Sequence, residues 1–351
     1  MGIVPHMRSL ADPSPLKVVP IAASRSRIRG SVDFFTFEER LAYLKRFGNH
    51  CMSFSTLQQG MHYFDVPGVG YIAFKEKWGN RLTLADPVCH PDDREPLLRE
   101  LLKDGRHTTF VQLSQEVAEL LHRRFGLYAT QFGSEIVLDI GDWNLKGKKK
   151  QILRTSVNHA RSAGVRIVEG FITDGVRRLT DEWLQTRKVR NREIGFLIRP
   201  MDMEFQDGTR RFFAYLDGEL IGFIYFDPIY ENDRVIAYVP NISRFSTRFK
   251  PGIFYPLMIH AIEVFKAEGI RQVNLGLCPL VVDEHDLPCE SVLQKKMNRL
   301  LYEHGNWIFN FKGLYFTKSR FGGVVQKTFG VHREKLPAFP FLVMFKLSNF
   351  L

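Results

Sequence analysis

The sequence has 351 residues, of which 44% are hydrophobic and 25% charged, as in a folded protein of two domains or one large one. Its formal net charge of +11 favours negatively charged partners such as nucleic acid, anionic lipid or phosphorylated small molecules. The four cysteines have neither CxxC spacing nor the density of a disulfide framework, which excludes a zinc ribbon and favours a reducing cytoplasm. No apolar run reaches the roughly 18 residues that a membrane-spanning helix needs.

The first half of the chain shows a regular succession of predicted elements. Residues 1–30 are interpreted as a mobile basic tail, and residues 34–48 have helical spacing that ends at Gly48. Residues 68–87 alternate around a turn at Gly79 and Asn80, which predicts a β-hairpin. The patterns that follow predict helices over 91–105 and 114–125, each ending at a glycine, and strands over 106–114 and 134–140.

A basic segment follows, LKGKKKQILRTSVNHARSAG over residues 145–164, which contains no acid. As a helix from about Lys148 to Ala163, it places Lys150, Arg154, Asn158 and Arg161 on one stripe. Such charge runs are usually solvated faces. Like charges at this spacing nevertheless repel by roughly 0.2 to 0.5 kcal/mol per pair, so we expect this helix to bind an anion.

The second half repeats the pattern of the first. Residues 210–243 predict three strands, residues 255–269 a helix that ends at a glycine, and residues 270–280 a strand. The repeat predicts an α+β fold with two lobes, at 31–145 and 166–335, joined by the basic helix at 146–165. The apolar segment at 336–351 either docks on the core or lies in a membrane interface.

Several of these segments together resemble a known family. In order along the chain they are LTLADPV, FGSEIVLDIGDWNLKGKKKQILRTSVNHARSAGVRIVE, DEWL, RRFFAYLDGELIGFIYFDPIY, NISRFSTRFKPG, EGIRQVNLGLCPL and FKGLYFTKSRF. Over roughly residues 35–335 they resemble the C-terminal catalytic region of the phosphatidylglycerol lysyltransferase family. The resemblance implies tandem GNAT-like acyltransferase lobes. We expect no cofactor and no metal, since the sequence has no paired metal-ligand spacing.

The activity implied by the resemblance is transfer of an aminoacyl group from charged tRNA to the hydroxyl of a phosphatidylglycerol-like anionic phospholipid. The family's N-terminal membrane region is not part of this sequence. We therefore expect a stand-alone transferase, peripheral at the inner face of the cytoplasmic membrane. Its expected partners are aminoacyl-tRNA, the anionic membrane surface and a separate membrane translocator.

The resemblance also implies site residues. The expected catalytic residues are Arg154, Asn158, Asn241, Arg244 and Lys318, the last on a segment after an aromatic strand. The residues expected to bind substrate are Glu135, Lys148, Lys149, Lys150, Arg161, Arg211, Gly252 and Gly276. The lysines and arginines of the basic helix are expected to contact phosphates.

This sequence departs from the family at one informative position. The family has Asp where this chain has Asn241, which puts lysine in doubt as the transferred residue and makes a small neutral residue such as alanine at least as plausible. Cys278 is interpreted as structural, because a buried structural cysteine is several times more common than a reactive one. His159 is either structural or a proton carrier.

Three alternatives stay open at this point. The first is an acyltransferase that depends on acyl-CoA, and the second is a Fem-like transferase acting on a peptide. The third is a non-catalytic module that binds anionic lipid or RNA. Signatures of other enzyme classes, including GxxxxGK, HExxH and GxSxG, do not occur in the sequence.

Overall fold

The computed structural model describes residues 30–185, 193–201, 207–249, 252–284, 287–307 and 309–349. This part of the chain forms a mixed sheet with helices on its faces. The strands are β1 (Ser31–Val32), β2 (His62–Val66), β3 (Gly70–Lys77), β4 (Asn80–Leu84), β5 (Val88–Cys89), β6 (His107–Leu113), β7 (Tyr128–Asp139), β8 (Arg166–Glu169), β9 (Arg210–Leu216), β10 (Glu219–Glu231), β11 (Arg234–Phe245), β12 (Gln272–Pro279) and β13 (Val324–His332). The helices are α1 (Phe37–Phe47), α2 (Arg94–Leu102), α3 (Gln115–Phe125), α4 (Gln151–Ser162), α5 (Asp174–Gln185), α6 (Phe254–Ala267), α7 (Val292–His304), α8 (Phe311–Ser319) and α9 (Ala338–Leu347).

The sheet runs through both halves of the chain without a break. Its order is β1-β2-β3-β4-β6-β13-β7-β12-β11-β10-β9-β8, with β5 paired to β3. Only β4 with β6 and β11 with β12 pair in parallel in the described chain, and each parallel pair is connected through a helix, α2 or α6. The predicted repeat is therefore present as two β-α-β crossovers in a mainly antiparallel sheet, and the α+β class is confirmed.

Local signals in the first half produce the elements they predict. The Thr36 hydroxyl accepts a hydrogen bond from the Glu39 amide, and the Glu39 carboxylate accepts one from the Thr36 amide, so α1 begins with a capping box. Gly126 ends α3 with a φ of 68°, a left-handed conformation that favours glycine. The strands β3 and β4 form the predicted hairpin, with Phe74 opposite Thr83.

The two halves are joined through β7, β12 and β13. Antiparallel β7 and β12 pair at the middle of the sheet, with Leu277 opposite Glu135. The strand β13 lies within the range assigned to the second lobe, yet it hydrogen-bonds to β6 and β7 of the first. The C-terminal part of the chain thus returns to the first half, and the lobe boundaries stay a prediction.

The aromatic residues just before Lys318 were expected to form a strand, and this prediction is wrong because FKGLYFTKS forms helix α8. The Asn310 side chain accepts a hydrogen bond from the Gly313 amide and caps the helix. Phe311 and Tyr315 lie four residues apart and therefore share a helix face. This spacing indicates a helix, although several aromatic residues in succession are more typical of a strand.

The apolar C-terminal segment forms helix α9, which packs on the first half of the sheet. Val343 and Met344 are buried in the same core as residues of β3 and β4. Phe339 and Leu342 remain exposed on the other face of the helix. None of the helices in the described chain combines the length and apolar character needed to cross a bilayer.

Candidate active site

The centre of the sheet contains a buried carboxylate, Glu135 on β7. The Asn274 amide Nδ2 on β12 donates to Glu135 Oε2 at 2.8 Å, and the Cys51 thiol Sγ donates to Glu135 Oε1 at 3.0 Å. Burial and the adjacent Glu135 raise the pKa of Cys51 well above its usual value, so the thiol keeps its proton. Both carboxylate oxygens of Glu135 are thus fixed by neighbours.

A β-bulge lies beside this carboxylate. The register between β12 and β7 shifts between Asn274 and Leu277, which leaves Gly276 out of the regular ladder. Gly276 has a φ of 74°, and its amide donates to Asn274 Oδ1 at 2.8 Å. A Cβ at Gly276 would lie 3.6 Å from Lys318 Nζ, so the glycine keeps open the space next to that ammonium.

Lys318 on α8 reaches into the same place. Its Nζ donates to the Leu277 carbonyl at 2.9 Å, which places the ammonium at the end of the bulge. Burial lowers the pKa of Lys318, and the neighbouring Cys278 and Glu135 partly oppose that effect. We call Cys51, Glu135, Asn274, Gly276 and Lys318 the central site. Three of its members, Glu135, Gly276 and Lys318, are predicted site residues that lie far apart in the sequence.

The donor atoms of His50, Cys51 and Glu135 also lie within 4.8 Å of one another, which is compact enough for a metal ion. In the structure the Cys51 thiol donates to Glu135, so these two groups are already linked by a hydrogen bond. His50 Nδ1 accepts a hydrogen bond from the Met52 amide at 3.1 Å, so this nitrogen is also engaged. The arrangement therefore fits a hydrogen-bonded group better than a metal centre.

A second polar cluster lies on β9, β10 and β11, around the buried hydroxyl of Tyr225. Burial raises the pKa of Tyr225, and Arg211, Arg199 and Arg244 oppose the rise. Arg199 pairs with the buried carboxylate of Asp227, with Nε donating to Oδ2 at 3.2 Å. We call Arg199, Arg211, Tyr225, Asp227 and Arg244 the arginine cluster.

Several donors of the arginine cluster make no hydrogen bond to any described residue. They are Nε and Nη1 of Arg211, Nε of Arg244 and the hydroxyl of Tyr225, and all are buried. A buried donor without an acceptor costs about 1 to 3 kcal/mol, so such groups are rare unless a ligand completes them. Burial also lowers the pKa of both Arg211 and Arg244, as expected for cations removed from water.

The two predicted residues of β11 differ in their surroundings. Arg244 Nη2 donates to Glu193 Oε1 at 2.8 Å, and the guanidinium lies 3.8 Å from the centre of the Trp183 ring. Asn241 is partly buried, and its Nδ2 donates to the Arg199 carbonyl at 3.3 Å. Asn241 therefore adds no charge to the cluster.

The basic helix α4 forms as predicted, preceded by a turn of 3₁₀ helix at Lys148–Lys150. Lys150 Nζ donates to the Asn144 carbonyl at 2.6 Å and lies 4.4 Å from the centre of the Trp143 ring. Arg154 Nη1 donates to the carbonyls of Leu145 and Gly147, the latter at 2.8 Å. These two side chains hold the loop before the helix, which their charge pattern did not indicate.

The remaining predicted residues of this helix lie at the surface, and those that are exposed are Lys148, Lys149, Asn158 and Arg161. No hydrogen bond among the described residues connects them to the central site. Gly252 precedes α6 with a φ of 80°, so a left-handed turn accounts for this glycine.

The sequence did not reveal Cys51, Asn274 or Tyr225 as members of these clusters. Cys51 lies in a loop after α1, and only the pairing of β7 with β12 brings Glu135 and Asn274 together. Tyr225 lies within a strand of almost continuous apolar residues, which is typical of core. The spacing of Asn274 and Gly276 before Cys278 was the one local signal of a bulge.

The fold and these clusters define an α+β protein with a polar site at the junction of its two halves. The sequence profile of the family described as "Phosphatidylglycerol lysyltransferase, C-terminal" matches residues 41–332, and the chain belongs to this family. The chain is 24% identical over 288 residues to a phosphatidylglycerol lysyltransferase of Staphylococcus epidermidis, covering 78% of this chain and 32% of that protein. It spans about a third of the length of the curated relatives it matches.

Two solved structures have a similar fold. L-PGS from Bacillus licheniformis superposes with a TM-score of 0.72 at 20% identity, over 89% of this chain and 96% of that one. The C-terminal domain of a putative lysylphosphatidylglycerol synthetase from Agrobacterium fabrum superposes with a TM-score of 0.74 at 19% identity, over 90% of this chain and 98% of that one. At these identities the likeness establishes the fold.

Proposed function

We propose that this chain is an acyltransferase that moves an aminoacyl group from charged tRNA to the hydroxyl of a phosphatidylglycerol-like phospholipid. The observation that carries the proposal is the central site, where Lys318 and Glu135 meet at a glycine bulge in a chain of this family. Transfer between two esters needs little free energy, so binding and positioning of the two substrates supply most of the catalysis.

In this reaction the oxygen of the lipid hydroxyl forms a bond to the carbonyl carbon of the aminoacyl ester, and the bond from that carbon to the 3′-terminal ribose oxygen of the tRNA breaks. The proton lost by the lipid hydroxyl ends on the ribose oxygen, so the tRNA leaves with a free hydroxyl. Negative charge develops on the carbonyl oxygen in the tetrahedral intermediate. The Lys318 ammonium, next to the open space at Gly276, is the group that stabilises this charge. Glu135 fixes Asn274 and thereby the shape of the bulge.

The arginine cluster supports the binding of an anionic substrate group. The unpartnered donors of Arg211, Arg244 and Tyr225 can donate hydrogen bonds to the oxygens of a phosphate or a carbonyl group. Both the tRNA and the lipid carry phosphates, so the proposed reaction supplies such a ligand. The exposed lysines and arginines of α4 then contribute affinity without contacting the reacting atoms.

The neutral side chain of Asn241 and the positive charge of the arginine cluster favour transfer of a neutral amino acid. Three guanidinium groups, those of Arg199, Arg211 and Arg244, lie around Tyr225. The described carboxylates paired with them are those of Asp227 and Glu193. A lysyl ammonium bound beside this cluster would meet positive charge, and Asn241 provides no carboxylate to offset it.

The proposed place of action is the cytoplasmic face of the membrane, where charged tRNA and phosphatidylglycerol meet. The net charge of +11 supports attraction to an anionic surface. A separate membrane protein would then translocate the product.

The proposal is tested by incubating the purified chain with each of the standard aminoacyl-tRNAs and phosphatidylglycerol in detergent micelles. Mass spectrometry of the lipid should show a product heavier by one neutral aminoacyl residue, alanyl among the first candidates. Replacing tRNA by acyl-CoA, or the lipid by a peptide amine, serves as the control. Product in those arms alone would show that the chain is a different acyltransferase.

A further inference from the structure

Helix α7 buries polar residues and exposes apolar ones, which is the reverse of an ordinary surface helix. Gln294 and Asn298 on its inner face are 3% and 1% exposed. Leu293 and Leu300 on its outer face are 50% and 52% exposed, and Val292 and Met297 are exposed with them. An amphipathic helix on a protein that meets only water places such residues the other way round.

The outward surface of α9 continues this apolar face. Phe339 and Leu342 of α9 are exposed, and the Phe339 ring stacks on Trp78 at 6.4 Å between ring centres. Trp78 lies at the turn between β3 and β4, where it is 54% exposed. Tryptophan at an exposed turn is costly in water and is enriched where proteins meet the polar edge of a bilayer.

Both helices pack on the same side of the sheet. Gln294 and Asn298 of α7 line one small cavity together with Pro340, Phe341 and Met344 of α9. Because these residues are the inner faces of the two helices, the outer residues of both helices point away from this cavity. We call the resulting surface, formed by Trp78, Val292, Leu293, Met297, Leu300, Phe339 and Leu342, the apolar face.

Basic residues border and interrupt the apolar face. Lys296 is exposed within the apolar stripe of α7, and Arg333 and Lys335 are exposed in the segment before α9. Lys77 Nζ lies 5.3 Å from the centre of the Trp78 ring. Of the nearby acids, Glu334 is engaged, since its Oε1 contacts His107 Nε2 at 2.6 Å, whereas Glu303 is exposed near the C-terminal end of α7.

We propose that the apolar face docks on an anionic phospholipid bilayer, with its apolar side chains in the interfacial region and its lysines at the headgroups. The docking gives the proposed function its lipid supply, and to that extent it rests on that function. A short stripe of apolar residues bordered by lysine and arginine is the pattern of helices that lie in a membrane interface.

The lysine within the apolar stripe favours a bilayer over a second copy of the chain. In a symmetric dimer through this face, Lys296 would be taken out of water among apolar side chains, and Glu303, the acid of α7, lies seven residues further along the helix. At a bilayer the same side chain extends its ammonium to lipid phosphates while its stem stays among apolar groups.

The position of α8 connects this face with the central site. Only residues 305–310 separate α7 from α8, and α8 carries Lys318 to the Leu277 carbonyl. Phe316 is exposed on α8, and the Arg320 guanidinium lies 3.8 Å from the centre of its ring. The helix that forms much of the apolar face is therefore followed directly by the helix that carries a proposed catalytic residue.

The first experiment measures co-sedimentation of the full chain with vesicles, without tRNA. Vesicles of phosphatidylglycerol and phosphatidylcholine are compared with vesicles of phosphatidylcholine alone. We expect the double variant Leu293→Gln, Leu300→Gln to bind the anionic vesicles at least about tenfold more weakly, because two half-exposed leucines no longer leave water. Phe171→Gln, a change at an 82% exposed phenylalanine next to the opposite edge of the sheet, should bind like the parent chain.

A second readout locates the contact. Vesicles with brominated acyl chains should quench the tryptophan fluorescence of the parent chain, and most of this quenching should be lost in Trp78→Phe. Because the substituted residues are exposed, thermal melting should be nearly unchanged in every variant.

Several results would overturn the proposal. Equal vesicle binding by the parent, the double variant and Phe171→Gln would exclude the apolar face as the membrane contact. Equal binding to neutral vesicles would remove the anionic specificity. A lipid-free dimer that dissociates in the double variant during sedimentation velocity would identify the face as a self-association surface. Loss of transferase activity in all chains would contradict the proposed function alone, since the vesicle assay requires no catalysis.

Discussion

Replacement of Lys318 by methionine separates a catalytic role of its ammonium from a structural one. The substitution keeps an unbranched apolar stem on α8 and removes Nζ, together with its 2.9 Å hydrogen bond to the Leu277 carbonyl. A buried carbonyl left without a donor costs about 1 to 3 kcal/mol. Because burial disfavours the charged form of Lys318 and lowers its pKa, the apolar replacement recovers part of this cost.

We therefore expect the free energy of unfolding of Lys318→Met to fall by less than about 2 kcal/mol. The transfer rate should fall about 10² to 10³-fold, since loss of one preorganised donor to a developing oxyanion costs about 2.7 to 4 kcal/mol of activation free energy. The assay combines a denaturation curve with initial rates at saturating charged tRNA and micellar phosphatidylglycerol.

Lys75→Met is the matched control for this experiment. Lys75 on β3 is also partly buried, and burial likewise lowers its pKa, but it lies outside both polar clusters. Its variant should keep the parent rate. A folded Lys318→Met protein with the parent rate would refute the assignment of Lys318 to catalysis.

Three further predictions concern the bulge, the arginine cluster and pH. Gly276→Ala places a methyl group 3.6 Å from Lys318 Nζ in left-handed backbone, so it should lower both the transfer rate and, by about 1 to 2 kcal/mol, the free energy of unfolding; parent values in both assays would contradict this. Arg211→Met should leave the melting temperature unchanged or raise it, because Nε and Nη1 of Arg211 have no described partner. The same variant should raise KM for a substrate roughly tenfold or more. A fall in melting temperature with an unchanged KM would instead indicate a structural role. Burial lowers the pKa of His332 from 6.5 to about 4, so the unfolded chain binds the proton more tightly, and stability present above pH 6.5 should be lost by up to about 3 kcal/mol as the pH falls to 4. Denaturation curves measured across that pH range give the free energy of unfolding at each pH, which should change less with pH in His332→Gln than in the parent. An unchanged dependence of this free energy on pH would contradict the assignment to His332.

Helix ends and turns were predictable because their causes are local. The capping box at Thr36, the left-handed Gly126 and the turn at Gly79 each act through residues close in sequence. Each predicted element around them is present in the structure.

The misassigned segment shows where local pattern reading fails. Phe311, Tyr315 and Phe316 together are typical of a strand by composition, and only the Asn310 cap and the four-residue spacing indicate a helix. The pairing of β13 with β6 and β7 depends on contacts across some 200 residues, for which the sequence carries no local signal.

The candidate site was predictable in part, through the resemblance. Glu135, Gly276 and Lys318 were proposed one by one, and the fold brings them together. Charge patterning did not indicate that Lys150 and Arg154 donate to the loop carbonyls before α4, and their contact with phosphate stays a prediction. A run of like charges indicates attraction to anions but does not distinguish a side chain that binds one from a side chain that fixes its own loop.

The most direct test of the proposed function is lipid mass spectrometry after incubation with charged tRNA and phosphatidylglycerol, for the parent chain and Lys318→Met. The parent reaction should yield a phosphatidylglycerol product heavier by one neutral aminoacyl residue. In the variant reaction this product should be reduced by about 10² to 10³-fold. If folded parent protein gave no aminoacylated lipid with any standard aminoacyl-tRNA, this result would contradict the proposed function.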